Sequence, residues 1–141
     1  MKEMIERIIK ENIKTKEDLL VSQGSNIEKA AWVMINCLQS GGKILIFGNG
    51  GSAADSQHMA AELVGRFKKE RRPLAAIALT TNTSTITAIG NDYGYDATFS
   101  RQVEALGKAG DIAVGISTSG NSSNIIKGLE KAHLMGLETV G

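Results

Sequence analysis

The sequence predicts an α/β fold, a doubly wound parallel sheet with helices on both faces. Three observations support this prediction. Short apolar runs, typical of strands buried on both faces, recur along the chain. Segments with helical periodicity separate these runs. Glycine- or hydroxyl-rich segments follow the runs directly, as the ligand-binding loops at the carboxyl ends of parallel strands do.

Length and composition fit one ordinary globular domain over residues 1–141. The chain has a formal net charge of +1 and a single cysteine, Cys37, which lies in an apolar helical pattern. This charge balance indicates neither a nucleic-acid nor a membrane surface, and no apolar run approaches transmembrane length. The start of the chain does not resemble a signal peptide. We therefore expect a cytoplasmic protein that binds neither nucleic acid nor membrane, with Cys37 as a small core residue.

Residues 1–40 predict a pair of helices ahead of the first strand. Apolar residues recur at three- and four-residue steps from Met1 to about Val21. Ser25 and Glu28 fit a capping box that opens a second helix through Leu38. Two helices exceed what one side of a small sheet needs. We expect the first to pack partly against another copy of the chain; the alternative is a helix lying along its own domain.

The α/β core, residues 43–141, begins with a strand, a glycine turn and a helix. Residues 44–47 are the predicted strand, residues 48–51 the turn, and Ser52 the expected N-cap of a helix reaching about Phe67. The free N–H groups and the positive dipole of the helix start make this turn suitable for an anion. The basic residues 68–72 that follow are expected to cap a helix end.

Asp55, His58, Glu62 and Arg66 fall on one stripe of this helix, at steps of three and four residues. One interpretation is a solvated charged face. The other is a functional site, because the stripe places a carboxylate one turn from an imidazole, beside a turn that can hold a ligand. His58 and Glu62 would also supply half of a metal site, if further ligands come from residues beyond Gly141 or from another subunit.

The rest of the chain continues the alternation of strands and helices. The predicted elements are a strand at 74–79, a helix at about 97–106, a strand at 112–116, a helix at about 123–135 and a fourth strand beginning at 137. Residues 80–87 are rich in hydroxyl groups, and residues 90–94 predict a loop. Because no helix follows the fourth strand, the chain resembles the front part of a longer domain whose C-terminal part is missing.

Residues 117–122, with the sequence STSGNS, follow the third predicted strand and precede a helix. Hydroxyl and backbone N–H groups at that place suit a phosphate monoester. The alternative is a helix cap, but one serine would satisfy a cap. A nucleotide is disfavoured, because Gly51 is not followed by the Walker lysine and the second strand is not followed by the acid that binds a ribose.

Four segments together resemble the phosphoheptose isomerases, members of the sugar isomerase (SIS) superfamily. They are residues 48–67, AIGNDYG at 88–94, FSRQVEALGKAGD at 99–111 and GISTSGNS at 115–122. The resemblance implies the SIS fold and a cytoplasmic homotetramer with active sites at subunit interfaces. It implies an aldose–ketose isomerase that converts sedoheptulose 7-phosphate to D-glycero-D-manno-heptose 7-phosphate, on the way to the heptoses of lipopolysaccharide.

The same resemblance implies roles for individual residues. Glu62 would be the catalytic acid/base, with His58 beside it. In several members zinc is bound by the equivalents of His58 and Glu62, with a Gln and a His from the last helix; no nucleotide cofactor is implied. The phosphate would be bound by Ser117, Thr118, Ser119 and Ser122. The sugar would contact Asn49, Gly50, Gly51, Ser52, Glu62, Asn91 and Asp92.

Two other functions stay open at this point. A non-catalytic SIS relative would be a tetrameric regulator of a protein such as a replication initiator, and it need not keep an acid/base glutamate. A phosphosugar-sensing module would bind its ligand without turnover. The presence of Glu62 together with an intact 117–122 loop favours the enzyme.

Overall fold

Four parallel strands form the centre of the α/β fold that the sequence predicts. The computed structural model describes all 141 residues. Its elements are α1 Lys2–Gln39, β1 Ile44–Gly48, α2 Gly51–Val64, β2 Ala76–Ala78, α3 Thr83–Tyr93, a 3₁₀ turn Tyr95–Ala97, α4 Thr98–Leu106, β3 Ile112–Ile116, α5 Ser123–Leu134 and β4 Glu138–Val140. The chain divides into two units, Met1–Val33 and Met34–Gly141.

The sheet has the order β2-β1-β3-β4, and all its neighbours are parallel. All five residues of β1 are buried, as its continuous apolar pattern predicts. Phe47 of β1 stacks on Phe99 of α4, with ring centroids 5.1 Å apart. The core around this pair consists of Leu45, Phe47, Leu79, Phe99, Val103, Ala113, Ile125, Ala132 and Leu137.

The predicted helical pair is wrong, because α1 is one continuous helix from Lys2 to Gln39. Gly24 and Ser25 lie inside it, so Ser25 does not open a second helix. A glycine within a helix costs only about 1 kcal/mol, and ending the helix there would leave backbone N–H and C=O groups unpaired. In the Met1–Val33 unit, Ile5 and Ile9 are 48% and 54% exposed, so its apolar side chains have no cover within the unit.

The boundaries of α2 differ from the prediction at both ends. The helix begins at Gly51, with Gly50 at the N-cap and no side-chain cap, so Ser52 is a buried residue of the first turn and not the N-cap. It ends at Val64 and not near Phe67. The Arg71 guanidinium explains this end, since it donates to the carbonyl oxygens of Glu62 at 2.6 Å and Leu63 at 2.9 Å. The expected capping role of the basic segment is confirmed.

A helix, α3, covers most of the hydroxyl-rich segment 80–87 and most of the loop predicted at residues 90–94. Asn82 is its N-cap and accepts a hydrogen bond of 3.0 Å from the backbone N–H of Thr85. The half-buried Ile86 and Ile89 give α3 an inward side, and Gly94, at φ 83°, follows its last residue. This cap outweighs the weak helix propensity of the threonines. The strands and helices from β3 onward lie within two residues of their predicted positions.

A partly buried ion pair lies at the amino ends of β1 and β3, the edge of the sheet opposite the predicted loops. Asp111 accepts hydrogen bonds from the Lys43 ammonium group and from the backbone N–H groups of Lys43 and Lys108, the last two at 2.9 Å. Burial opposes ionisation of Asp111, but these hydrogen bonds outweigh it, so the pKa of its carboxyl lies below the ordinary value.

Two further expectations concern Cys37 and membranes. Cys37 is buried, which confirms its expected place in the core, and burial raises the pKa of its thiol. None of the helices combines the length and the apolarity that a bilayer span requires.

Candidate active site

The register of the sheet brings two of the predicted loops together. Gly48, the last residue of β1, pairs with Ile116, the last residue of β3. Asn49 and Ser117 are the next residues of these strands, so the glycine turn and the 117–122 segment leave the sheet side by side, about 5 Å apart. This is the carboxyl edge, where ligands bind in open parallel sheets.

Glycine is required at two positions of the turn. A Cβ on Gly48 would lie 2.7 Å from both the Cβ and the carbonyl oxygen of Ser52, so only glycine lets α2 start this close to β1. Gly50 has φ 55°, which side chains rarely adopt. The turn therefore presents the N–H groups at the start of α2 to the carboxyl edge.

Three hydroxyl groups of the 117–122 segment, hereafter the serine loop, gather at one point, those of Ser117, Ser119 and Ser122. Ser117 Oγ lies 3.0 Å from Ser122 Oγ and 3.4 Å from Ser119 Oγ. Ser122 occupies the N-cap position of α5 but makes no side-chain cap hydrogen bond. Ser119 Oγ accepts a local hydrogen bond of 3.2 Å from the backbone N–H of Asn121, and the capping alternative leaves the hydroxyls of Ser117 and Ser122 unexplained. They remain available to a ligand at the positive end of a 12-residue helix.

Asn49 takes part in a hydrogen-bond group that the sequence analysis missed. Its side-chain amide pairs reciprocally with that of Asn124, both N···O distances being 2.9 Å, and the Tyr95 hydroxyl donates to Asn49 Oδ1 at 3.1 Å. Asn124 is in the first turn of α5 and is buried. The signal in the sequence was an asparagine two residues after the last serine of the loop, which α5 turns toward β1.

His58 and Glu62 lie together, as predicted, in a groove beside α2. His58 Nε2 is 3.3 Å from Glu62 Oε1, with the side chains 74% and 37% exposed. The groove has a volume of about 680 Å³, and Asp55 and Arg71 also line it. Its apolar walls are Met34, Met59, Leu63, Phe67 and Leu74. Arg66, the last residue of the predicted stripe, does not line the groove and pairs with Glu70 at 3.3 Å.

This groove and the serine loop are separate within one chain. No residue of the serine loop lines the groove. Glu62 stands near the end of α2, and the glycine turn stands at its start, about 16 Å away along the axis. Asn91 and Asp92 are exposed and joined only to each other, with Asn91 Nδ2 donating to Asp92 Oδ1 at 2.8 Å. The chain thus brings Asn49 to the serine loop but not Glu62, and no side-chain hydrogen bond joins Asn91 or Asp92 to the loop.

The residues of this chain fit only part of a metal site. His58 and Glu62 are two candidate ligands at helical spacing, whereas zinc takes four ligands or, at a catalytic centre, three and a water molecule. No group of three or more His, Cys, Asp or Glu side chains is placed to hold a metal ion.

Comparison with known proteins identifies the family. Residues 8–141 match the SIS domain. The chain is also 56% identical over 140 residues to the phosphoheptose isomerase of Aquifex aeolicus, a match that covers 99% of this chain and 73% of that protein. The chain belongs to the phosphoheptose isomerases of the SIS superfamily. The predicted family and the enzyme class, a phosphosugar isomerase, are therefore confirmed.

Other phosphoheptose isomerases give the same result. The probable phosphoheptose isomerase of Thermoplasma acidophilum is 62% identical over 118 residues, which are 82% of this chain and 65% of that protein. The structure of phosphoheptose isomerase GmhA from Neisseria gonorrhoeae superposes with a TM-score of 0.90 at 49% identity, covering 98% of this chain and 72% of that one. The structure of a phosphoheptose isomerase from Francisella tularensis superposes with a TM-score of 0.92 at 41% identity, covering 97% of this chain and 72% of that one. The predicted fold class is confirmed, and the chain is shorter than these relatives.

Proposed function

We propose that this protein converts sedoheptulose 7-phosphate to D-glycero-D-manno-heptose 7-phosphate, within the synthesis of heptose precursors for lipopolysaccharide in the cytoplasm. One observation carries the proposal: the hydroxyls of the serine loop converge without a capping role, next to the glycine turn, in a chain whose relatives are named phosphoheptose isomerases. A phosphate and the adjoining sugar fit this arrangement.

The phosphate group would bind at the serine loop. Its oxygens would accept hydrogen bonds from the hydroxyls of Ser117, Thr118, Ser119 and Ser122 and from the N–H groups at the start of α5. Asn49, Gly50, Gly51 and Ser52 would contact the sugar from the neighbouring turn. Because the phosphate is remote from the reacting carbons, its binding energy would serve to align C1 and C2.

Glu62 would be the acid/base of the isomerisation. It would take the proton from C1 of the ketose, giving an enediol, and return a proton to C2 while the C1 hydroxyl proton passes to the C2 oxygen. The product is the aldose, with no net gain or loss of electrons. His58, at hydrogen-bond distance from Glu62, would orient the carboxylate and assist these proton transfers.

The separation along α2 supports a site shared between copies of the chain. A Glu62 about 16 Å from its own glycine turn serves a substrate anchored at the serine loop of a neighbouring copy better than one at its own. The exposed apolar side chains of Met1–Val33 would form the contact between copies, in a homotetramer. Asn91 and Asp92 would reach the sugar from the same or a neighbouring copy.

Zinc would use His58 and Glu62 if two further ligands came from another copy or from residues outside this chain. Bound there, it would polarise a substrate oxygen.

The test is incubation of the purified protein with sedoheptulose 7-phosphate, following aldose formation with and without a chelator. Conversion in both conditions supports an isomerase that needs no metal. Conversion that is lost on chelation supports an isomerase that needs zinc. Binding of the sugar phosphate without conversion contradicts the proposal and favours a sensor or a non-catalytic regulator. Analytical ultracentrifugation of the same sample tests the tetramer, and a monomer with full activity would exclude the shared site.

A further inference from the structure

The side chain of Asn49 has only one hydrogen-bonding atom left for a ligand. Its Oδ1 has two lone pairs, which accept from Asn124 Nδ2 at 2.9 Å and from the Tyr95 hydroxyl at 3.1 Å. One hydrogen of Asn49 Nδ2 is donated to Asn124 Oδ1 at 2.9 Å. The second hydrogen has no protein partner. Held in this way, Asn49 offers a ligand a donor and no acceptor.

Of the two partners of Asn49, Asn124 is buried and Tyr95, which is 57% exposed, is held through its backbone. Asn124 is 3% exposed and sits in the first turn of α5, directly after the serine loop. Tyr95 begins the 3₁₀ turn, and its carbonyl oxygen accepts a hydrogen bond of 2.7 Å from the buried Thr98 hydroxyl.

The residue after Tyr95 ties the same turn to α5. Asp96 accepts hydrogen bonds from Ser123 Oγ at 2.7 Å and Lys127 Nζ at 2.9 Å, and these bonds lower the pKa of its carboxyl. The 3₁₀ turn, α5 and the glycine turn are thus joined around Asn49.

We propose that Tyr95 and Asn124 are positioning residues, which fix the Asn49 amide so that its free N–H points toward the bound sugar phosphate. The inference rests on the proposed function and adds a specificity rule to it. The group opposite Asn49 must be a hydrogen-bond acceptor, such as a hydroxyl or phosphate ester oxygen next to the phosphate. If either partner is lost, the amide can rotate and present its oxygen, which repels that group.

The kinetic test removes one hydroxyl. Because Asn49 lies beside the serine loop, where the phosphate remote from the reacting carbons is proposed to bind, Tyr95→Phe is expected to raise KM for sedoheptulose 7-phosphate by about 3- to 10-fold and to leave kcat nearly unchanged. Tyr93→Phe is the matched control. Tyr93 stacks against the Arg101 guanidinium at 3.8 Å and its hydroxyl has no protein partner, so no change is expected. Asn124→Ala should act in the same direction as Tyr95→Phe, with a larger effect.

A double-mutant comparison separates positioning from general damage. In an Asn49→Ala background, Tyr95→Phe should have no further effect on kcat/KM, since it acts only through Asn49. Additive effects, or an unchanged KM in Tyr95→Phe alone, would overturn the proposal.

A second readout does not depend on turnover. The Asn49 side-chain NH₂ signals, observed by nitrogen-15 NMR, should be well separated in the wild type and move in Tyr95→Phe but not in Tyr93→Phe. If they do not move, the positioning role is wrong even when the enzyme is active. If they move but the wild type neither binds nor converts the sugar phosphate, the proposed function fails and the hydrogen-bond group stands.

Discussion

His58 Nε2 lies 3.3 Å from Glu62 Oε1, one turn apart on α2 and in a groove with largely apolar walls. Helical geometry alone puts residues at this spacing on the same face. The partial burial of Glu62, which is 37% exposed, distinguishes this pair from a solvated ion pair such as Lys14–Asp18, where both side chains are more than half exposed.

Glu62→Gln should abolish isomerisation while sedoheptulose 7-phosphate still binds. The amide keeps the size of the side chain but cannot accept a proton, and an acid/base group contributes about 10²- to 10⁴-fold to the rate. Turnover should therefore be lost, while the Kd for sedoheptulose 7-phosphate, measured by calorimetry, should stay nearly unchanged. Glu70→Gln, on the exposed segment after α2, is the control and should leave both values unchanged. Normal turnover in Glu62→Gln would remove Glu62 from the mechanism.

The two histidines allow a matched test of the metal proposal. His58→Ala should weaken zinc binding to the assembled protein by at least about 10-fold, because it deletes one of the few ligands of the site. His133→Ala, on the exposed side of α5, should leave it unchanged. Zinc titrations of both variants by calorimetry provide the measurement. Equal affinity in the wild type and His58→Ala would place any metal elsewhere.

Removal of hydroxyls from the serine loop should weaken phosphate binding. Ser119→Ala and Ser122→Ala are each expected to raise KM for the sugar phosphate by about 10- to 100-fold, the effect of one hydrogen bond to a charged group, with a smaller loss in kcat. The inhibition constant of inorganic phosphate should rise in parallel. Ser22→Ala, on the exposed surface of α1, is the control. A fall in kcat without any change in KM would argue against phosphate at this loop.

Asp111→Asn should destabilise the fold by about 2 to 4 kcal/mol, because it leaves the Lys43 charge partly buried without its partner. The control is Asp18→Asn, whose exposed pair with Lys14 should contribute no more than about 0.5 kcal/mol. Urea unfolding at neutral pH measures both.

The lowered pKa of Asp111 also gives this contribution a pH dependence. A carboxyl whose pKa is lower in the folded state stabilises fully above its unfolded pKa, about 4, and this stability is lost as the pH falls through the folded value. The wild type and Asp111→Asn should therefore converge in stability below about pH 4. A difference in stability between the two proteins that stays constant down to the lowest pH measured would contradict the assignment of this contribution to the Asp111 carboxylate.

Gly24→Ala should stabilise α1 by about 0.5 to 1 kcal/mol, since the helix runs through this position and an added Cβ would meet no atom within 4 Å. Hydrogen exchange of the surrounding backbone amides should slow accordingly. Gly110→Ala is the control with the opposite expected sign. It should destabilise the protein, because φ at Gly110 is 89° and a side chain would strain this backbone conformation. Faster exchange in Gly24→Ala would indicate a break between two helices after all.

Local patterns were sufficient where a segment has a single buried environment. The apolar run at β3 predicted Ile112–Ile116 without error, and α5 was placed to within a residue. Local patterns failed where two alternative structures of the same segment were close in free energy. Gln23-Gly24-Ser25 resembles a helix break, yet one long helix satisfies more backbone groups. Threonine-rich residues 83–87 resemble a loop, yet the Asn82 cap starts a helix there.

The sequence by itself determined the alternation of strands and helices, because that alternation is set by neighbours within one or two turns of chain. It also determined the family, through motifs that include the glycine turn and the serine loop. Only the tertiary structure decided which of these residues meet. Parallel register set Asn49 beside Ser117, and α5 carried Asn124 to Asn49 across a separation of 75 residues. The length of α2 kept Glu62 away from both, because a rigid helix converts separation in sequence into distance.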